Sequence, residues 1–320
     1  MPESDRDTTE YTTRHVVDIA APAAHIYTVI ADAENWPIIF PPAVHVRREP
    51  RPGGIEVLDI WATAHDKVKA WRSQRELDAT NRTVTFCQLV TAPPVASMSG
   101  TWRIETNESG TSTVILDHRF TAVADEPDSV TWIEQALDTN STAELAAVEA
   151  TVLGRQDGSV VTLAFSDSVT IRSAAQPVFD FLYRADLWPE RLPHVSRVAL
   201  SYIDDAQVLE MDTTTDTGEA HTTRSYRVAT DRFELAYKQT VLPEGFLAHH
   251  GKWTLAETAD ETLATSHHRV QLDLNRLRGR LGLTDQRDIE QRVRAALGGN
   301  SLRTLEAARA FAESPQAQRV

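Results

Sequence analysis

The chain has 320 residues, 41% of them hydrophobic, with 46 acidic against 32 basic side chains and a formal net charge of −14. That length fits two domains of ordinary size, and that composition supports folded cores rather than disorder. The acidity argues against nucleic acid and against anionic membrane surfaces as partners, because neither gains from phosphate neutralisation by such a chain.

One cysteine, Cys87, leaves no intrachain disulfide and no thiolate zinc cluster. The segment 1–13 is polar and acidic, without the apolar core of a signal peptide, and its first dozen residues read as a loose tail. No run approaches the roughly 18 apolar residues of a membrane span. A reducing cytoplasm is the expected location.

In chain order, a short strand at 13–19 precedes a helix at 23–31, where Ile26, Val29 and Ile30 sit at helical spacing. The helix is expected to end before Trp36-Pro37, since a residue before proline resists the helical conformation. Alternating segments follow at 44–48, 54–64, 67–77, 83–90, 98–105 and 113–122, and a long helix at 129–149 closes the half. A loop at 153–159, marked by Gly154 and Gly158, is the expected linker. The pattern then repeats: a strand at 160–171, a helix at 177–183, strands at 195–202, 208–214, 221–228, 233–241, 248–256 and 263–272, and a long helix at 285–312.

The repeat extends to individual residues. Trp36-Pro37, Arg75, Gln88, Gly100-Thr101-Trp102 and His118-Arg119 return 150 to 152 positions later as Trp188-Pro189, Arg227, Gln239, Gly251-Lys252-Trp253 and His268-Arg269. A period of that size is a duplicated domain, not a solenoid. Strand, short helix, meander and long C-terminal helix describe an α+β fold. Each half, 12–152 and 160–312, is an antiparallel curved sheet around one helix, with a cleft between them.

Pleat parity assigns faces to side chains. Trp71, Ser73, Arg75 and Leu77 point inward, with Arg72, Gln74 and Glu76 on the solvated side. Val84, Phe86, Gln88 and Val90 face in, as do Trp102 and His118. The second half places Ser225, Arg227, Tyr237, Gln239, Val241, Trp253 and His268 likewise. An unpaired buried guanidinium is costly. No inward carboxylate stands out as a partner for Arg75 or Arg227, so a polar-lined ligand cavity is expected, with a structural ion pair as the bland alternative. Trp36, Trp102, Trp188 and Trp253 suit core packing first and ligand contact second. The histidines of 249–250 and 267–268 alternate faces and have no acidic or thiolate set at ligand spacing, so no metal is expected. No phosphate loop, nucleophile elbow or nucleotide fingerprint is present.

Ala21-Pro22-Ala23, the run Ala31-Asp32-Ala33-Glu34-Asn35-Trp36-Pro37, Phe40-Pro41-Pro42-Ala43-Val44-His45 and Trp71-Arg72-Ser73-Gln74-Arg75 resemble the di-domain aromatase/cyclases of bacterial type II polyketide synthases. The resemblance covers about residues 12 to 312, duplication included. It implies two tandem helix-grip domains of the START and Bet v 1 kind. It also implies regiospecific first-ring aldol cyclisation, then dehydration and aromatisation, of a poly-β-ketone held by an acyl carrier protein and already reduced at one carbonyl. No cofactor is implied, and the partners are that carrier and the other synthase components.

On this resemblance Arg75, Ser73 and His118, with Arg227, Ser225 and His268, are the catalytic candidates. Trp36, Trp71, Phe86, Gln88, Trp102, Tyr237, Gln239 and Trp253 are the substrate contacts. The chain departs from single-domain relatives, which carry a tyrosine where Ala43 stands and a second arginine near Gln88. Thr223 replaces Trp71 in the second half, so the pockets should differ in shape, with the first expected to be at least as active. The alternative is a carrier or chaperone of the same fold that binds a polyketide without chemistry.

Overall fold

Alternation of apolar and polar residues becomes strand pairing in both halves of the computed structural model, which describes residues 9–64, 67–107, 110–214 and 220–314. Contacts divide the chain into two units, meeting at Asp157 and Gly158. The first contains β1 (Tyr11–Ile19), α1 (Ala23–Ala31), α2 (Trp36–Ile39), β2 (Ala43–Pro50), β3 (Ile55–Ala64), β4 (Lys67–Asp78), β5 (Thr83–Val90), β6 (Val95–Thr106), β7 (Ser112–Ala122) and α3 (Pro127–Gln156). Its antiparallel sheet runs β1-β7-β6-β5-β4-β3-β2, and α3 packs on β1, β7 and α1. Pro127 opens α3 at a position where no N–H is missed, and Val130, Ile133, Leu145, Val148 and Val152 form its buried stripe.

The second unit repeats this as β8 (Val160–Ile171), α4 (Ala175–Tyr183), α5 (Trp188–Arg191), β9 (Val195–Ile203), β10 (Ala206–Thr214), β11 (Ala220–Asp231), β12 (Glu234–Val241), β13 (Phe246–Glu257), β14 (Thr262–Asp273), α6 (Leu274–Leu281) and α7 (Gln286–Ala312). Its sheet order is β8-β14-β13-β12-β11-β10-β9, with α7 against β8, β14 and α4. The architecture is the α+β helix-grip arrangement, twice. Among the described residues no helix is long and apolar enough to cross a membrane.

Four expectations need correction. The tail is shorter than a dozen residues, because Tyr11 and Thr12 pair with Phe120 and Arg119 in the sheet; residues 1–8 lie outside the described set. Helices α1 and α4 do end before the Trp-Pro pairs, but not because the residue before proline avoids helix: the tryptophans are helical, Trp36 at φ −52°, ψ −40° and Trp188 at φ −63°, ψ −35°. Each begins a new four-residue helix whose second residue is the proline, where the first-turn backbone tolerates it. Gly154 is a buried part of α3, and only Gly158, at φ 72°, lies in the turn. Val90 and Val241 follow inward parity but sit at strand ends beyond the covered core, and are exposed. Helix α6 was not anticipated. Its signals are local: Asp273 accepts from the Arg276 N–H at 3.0 Å, and Gly282 closes the helix at φ 65°.

Two glycines let an aromatic ring lie flat across the neighbouring strand. A Cβ on Gly251 would stand 2.3 Å from the Tyr237 ring, and one on Gly100 would stand 2.4 Å from Phe86 and 2.3 Å from the Asp117 carbonyl oxygen. Gly251→Ala should cost roughly 1–3 kcal/mol by forcing Tyr237 aside, and Gly100→Ala more, because a backbone oxygen cannot swing away. Denaturant midpoints of the two variants check the order; equal midpoints to the parent would mean that neither ring lies where described.

Candidate active site

The register of each sheet lays one row of side chains across its inner face. In the first domain Glu56 on β3 pairs with Arg75 on β4, Arg75 with Phe86 on β5, Phe86 with Gly100 on β6, and Gly100 with His118 on β7. In the second, Gln207 on β10 pairs with Arg227 on β11, then Tyr237 on β12, Gly251 on β13 and His268 on β14. The rows match position for position. Besides Tyr237 in place of Phe86, they differ at one end, where a carboxylate in the first domain is an amide in the second.

That difference decides the state of each arginine. Arg75, 2% exposed, donates from Nε to Glu56 Oε2 at 2.8 Å, and its Nη2 lies 2.6 Å from the same oxygen. It also donates to the Ile30 carbonyl at 3.4 Å and to that of Ala31, at the end of α1 where the helix dipole favours a cation. Arg48 reaches the other Glu56 oxygen at 2.5 Å. The expectation that Arg75 lacks an inward acid is therefore wrong. Glu56 shares a face with Leu58, Ile60 and Ala62, so its parity was legible, but the register that sets it opposite Arg75 was not. Burial lowers the Arg75 pKa, and Glu56 opposes that shift.

Arg227 is equally buried, at 2% exposed, and no acid among the described residues pairs with it. Its Nη2 donates to the Leu182 carbonyl near the end of α4, and its Nη1 has no hydrogen-bond partner among the described residues. Gln207 donates elsewhere, to the Tyr183 carbonyl at 3.2 Å and the Tyr202 hydroxyl at 3.3 Å. Burial holds the Arg227 pKa down to about 10, still far above neutrality, so the side chain is a cation.

Trp36 and Trp188 act as plates beneath the two arginines, with guanidinium carbons 5.0 and 5.1 Å from the ring centroids. Each indole N–H is held by a backbone carbonyl, of Ile30 at 2.9 Å and Phe181 at 3.1 Å.

The second domain encloses a cleft of about 860 Å³, its open mouth included. It brings together Ser225, Arg227, Tyr237, Gln239, Trp253 and His268 from the sequence-derived set, and Trp188 lines it too. Sequence reasoning missed His249 and Ser301, which line the same cleft. His249 Nε2 lies 3.0 Å from His268 Nδ1, and Ser301 Oγ lies 2.7 Å from His268 Nε2. The signal for His249 was available, because it shares pleat parity with Trp253, four residues on. Ser301 was visible only as half of an Asn-Ser pair repeated on the two long helices, Asn140-Ser141 and Asn300-Ser301.

In the first domain Ser73 donates to the Cys87 carbonyl at 2.9 Å, and His118 meets Phe86 edge-on with its Nδ1 unpartnered among the described residues. Trp102 is core, stacked on Phe40; Trp71 packs beside Leu58 and Ile60; Gln88 is half-buried opposite Ser73. Glu144 was not singled out. It falls on the buried stripe of α3, half-buried, with no ion-pair partner among the described residues, and burial pushes its pKa up to about 8. Aligning the Asn-Ser pairs sets it opposite Thr304, which lines the second-domain cleft. No three His, Cys, Asp or Glu side chains among the described residues converge as a metal site requires.

Two helix-grip domains with polar groups buried on the gripped face define a class of small-molecule binding and cyclising proteins. Residues 19–141 match the family described as polyketide cyclase / dehydrase and lipid transport. The chain is 38% identical to the granaticin polyketide synthase bifunctional cyclase/dehydratase of Streptomyces violaceoruber, over 93% of each protein. It is 37% identical to the actinorhodin counterpart of Streptomyces coelicolor, over 95% of this chain and 97% of that one. Among solved structures, the di-domain aromatase/cyclase BexL of the BE-7585A pathway is 42% identical at a TM-score of 0.80, covering 95% of this chain and 99% of that one. StfQ of the steffimycin pathway is 27% identical at 0.78, over 96% and 100%. The chain belongs to the bifunctional cyclase/dehydratases of polyketide synthases, the di-domain aromatase/cyclases.

Two pH windows follow. Burial holds His118 and His268 at about 4, below the ordinary 6.5, so the unfolded chain binds more protons between those values. Their contribution is complete above pH 6.5 and is lost as pH falls to 4, up to about 3 kcal/mol each. Replacing both by glutamine should flatten stability against pH in that window; an unchanged slope in urea titrations would contradict it. Glu144 has the opposite sign. Its raised pKa makes its effect increasingly unfavourable as pH rises from 4.5 to 8, so Glu144→Gln should raise Tm most above pH 8 and least near pH 4.

Proposed function

We propose that the chain closes the first ring of a carrier-protein-bound poly-β-ketone, already reduced at one carbonyl, by an intramolecular aldol reaction and then dehydrates it toward the aromatic ring. We place the oxyanion site of the aldol step in the second-domain cleft. The observation that carries this is Arg227, which lines the cleft and whose buried Nη1 has no partner among the described residues, while its counterpart in the first domain is paired with an acid.

Proton removal from a β-diketone methylene puts charge on a carbonyl oxygen, and carbon–carbon bond formation moves it to an alkoxide oxygen. A fixed guanidinium in a low-dielectric cleft stabilises both without reorganising. Substrate oxygen supplies the partner that Nη1 lacks in the free protein, so the desolvation penalty is relieved only with ligand bound. Ser225 and Gln239, on facing positions of β11 and β12, suit holding further carbonyls, while Leu209, Met211 and Trp253 give the apolar wall that folds the chain for one ring registry. Aldol closure and loss of water move only protons and electron pairs within the substrate and require no redox cofactor. Its setting is the cytoplasm, beside the acyl carrier protein and the other type II synthase components.

In a reconstituted synthase, Arg227→Ala should lower the ring-closing rate by on the order of a hundredfold and divert chains to mis-cyclised products. Gln207→Glu, which supplies the missing acid, should do the same with the arginine still present. A folded Arg227→Ala protein giving parental product at the parental rate would end this reading and favour a non-catalytic carrier.

A further inference from the structure

The second-domain cleft contains a run of hydrogen bonds beyond the guanidinium. Gln239 Oε1 lies 3.0 Å from His249 Nδ1, His249 Nε2 lies 3.0 Å from His268 Nδ1, and His268 Nε2 lies 2.7 Å from Ser301 Oγ and 3.1 Å from Ser266 Oγ. Tyr237 stands 3.4 Å from His268 Nδ1, and the Phe165 ring stacks on His268 at 4.9 Å. Gln239, His249, His268 and Ser301 all line the cleft.

The proton positions follow from donor chemistry. An amide oxygen only accepts, so His249 Nδ1 carries its hydrogen. Burial keeps both rings neutral, His268 at about 4 and His249 well below its ordinary value, so each has one N–H. His249 Nε2 is then bare and accepts from His268 Nδ1–H. That leaves His268 Nε2 bare, accepting the Ser301 hydroxyl. One amide oxygen at the far end sets the tautomer of the imidazole at the near end.

The duplication provides an internal control. At the position of His249 the first domain has Met98, at that of Ser266 it has Leu116, and there both His118 Nδ1 and Ser141 Oγ lack partners among the described residues. The run belongs to the domain that has the unpaired arginine.

We propose that His249 is a positioning residue for proton transfer in the second domain: it locks His268 in the Nδ1–H form, so that bare Nε2 and the Ser301 hydroxyl together act as the base that takes and returns the substrate proton. This rests on the ring-closing reading above. In the forward step a methylene C–H bond of the β-diketone breaks. Its proton passes to Ser301 Oγ as the serine hydrogen moves to His268 Nε2, and the electron pair stays on the substrate as an enolate facing Arg227. Once the carbon–carbon bond forms, the imidazolium returns its proton through Ser301 to the alkoxide.

The tautomer can be read without substrate, from nitrogen shifts of the full-length protein labelled with ¹⁵N-histidine, with His268→Gln identifying the signal. The parent should show His268 protonated on Nδ1 and bare on Nε2. His249→Leu should lose that signature, and kcat for ring closure should fall at least about tenfold with KM little changed. His249→Gln, which retains an accepting oxygen, should restore both. A parental His268 protonated on Nε2 overturns the proposal, and so does a folded His249→Leu protein with the parental tautomer or rate. Should His249→Leu not fold, the parental tautomer and the His249→Gln rate still decide. Failure here leaves the ring-closing reading intact, since that falls only if Arg227→Ala is without effect.

Discussion

A guanidinium shut away from water must find negative charge or oxygen, and the two domains meet that requirement differently. Arg75 finds Glu56 across the strand pair and two carbonyls at the end of α1. Arg227 finds one carbonyl and, among the described residues, no acid. Both stand at the same point of the same row, on the same kind of tryptophan plate. The contrast depends on one residue opposite each arginine, and strand register determines which residue that is.

A buried ion pair with its remaining hydrogen bonds made is a rigid structural element, and breaking it by removing one partner costs several kcal/mol. The Glu56–Arg75 pair ties β3, β4 and α1 together, with Arg48 bound from the rim. In the second domain the same tie is incomplete, and the incompleteness faces a cleft. Buried polar groups left unsatisfied in a native fold are candidates for function, because the surrounding packing must hold them at a cost to stability. The same logic separates the histidines. His118 meets a phenylalanine edge with its Nδ1 unpartnered among the described residues, whereas His268 is bonded at both ring nitrogens. Duplication thus kept the row while its surroundings diverged, toward an ion-paired arginine in one domain and, in the other, an arginine without an acid among the described residues and a histidine bonded at both ring nitrogens.

Glycine is what lets each row be continuous. At Gly100 and Gly251 the absence of a Cβ allows Phe86 and Tyr237 to cross over β6 and β13 and approach the histidine beyond. Without that gap the aromatic side chain would stand upright and the arginine and histidine ends would be separated.

Much was fixed by one-dimensional information. A nearly constant offset between Trp-Pro, Arg, Gln, Gly-x-Trp and His-Arg landmarks revealed the duplication, and periods of two and 3.6 residues located strands and helices, because those periods are set by local backbone geometry. Parity also turned Ser73, Arg75 and His118, with Ser225, Arg227 and His268, toward the interior, where they lie. What parity could not supply is which strand lies beside which residue, since a pleat tells inside from outside but not neighbour from neighbour. Hence Glu56 remained unseen opposite Arg75, His249 was weighed only as one of a pair without metal-ligand spacing, and Ser301 on a distant helix could not be joined to His268. Those contacts arise from sheet register and from where the gripped helix settles, both set by long-range packing, and that packing alone separates a neutralised arginine from an available one.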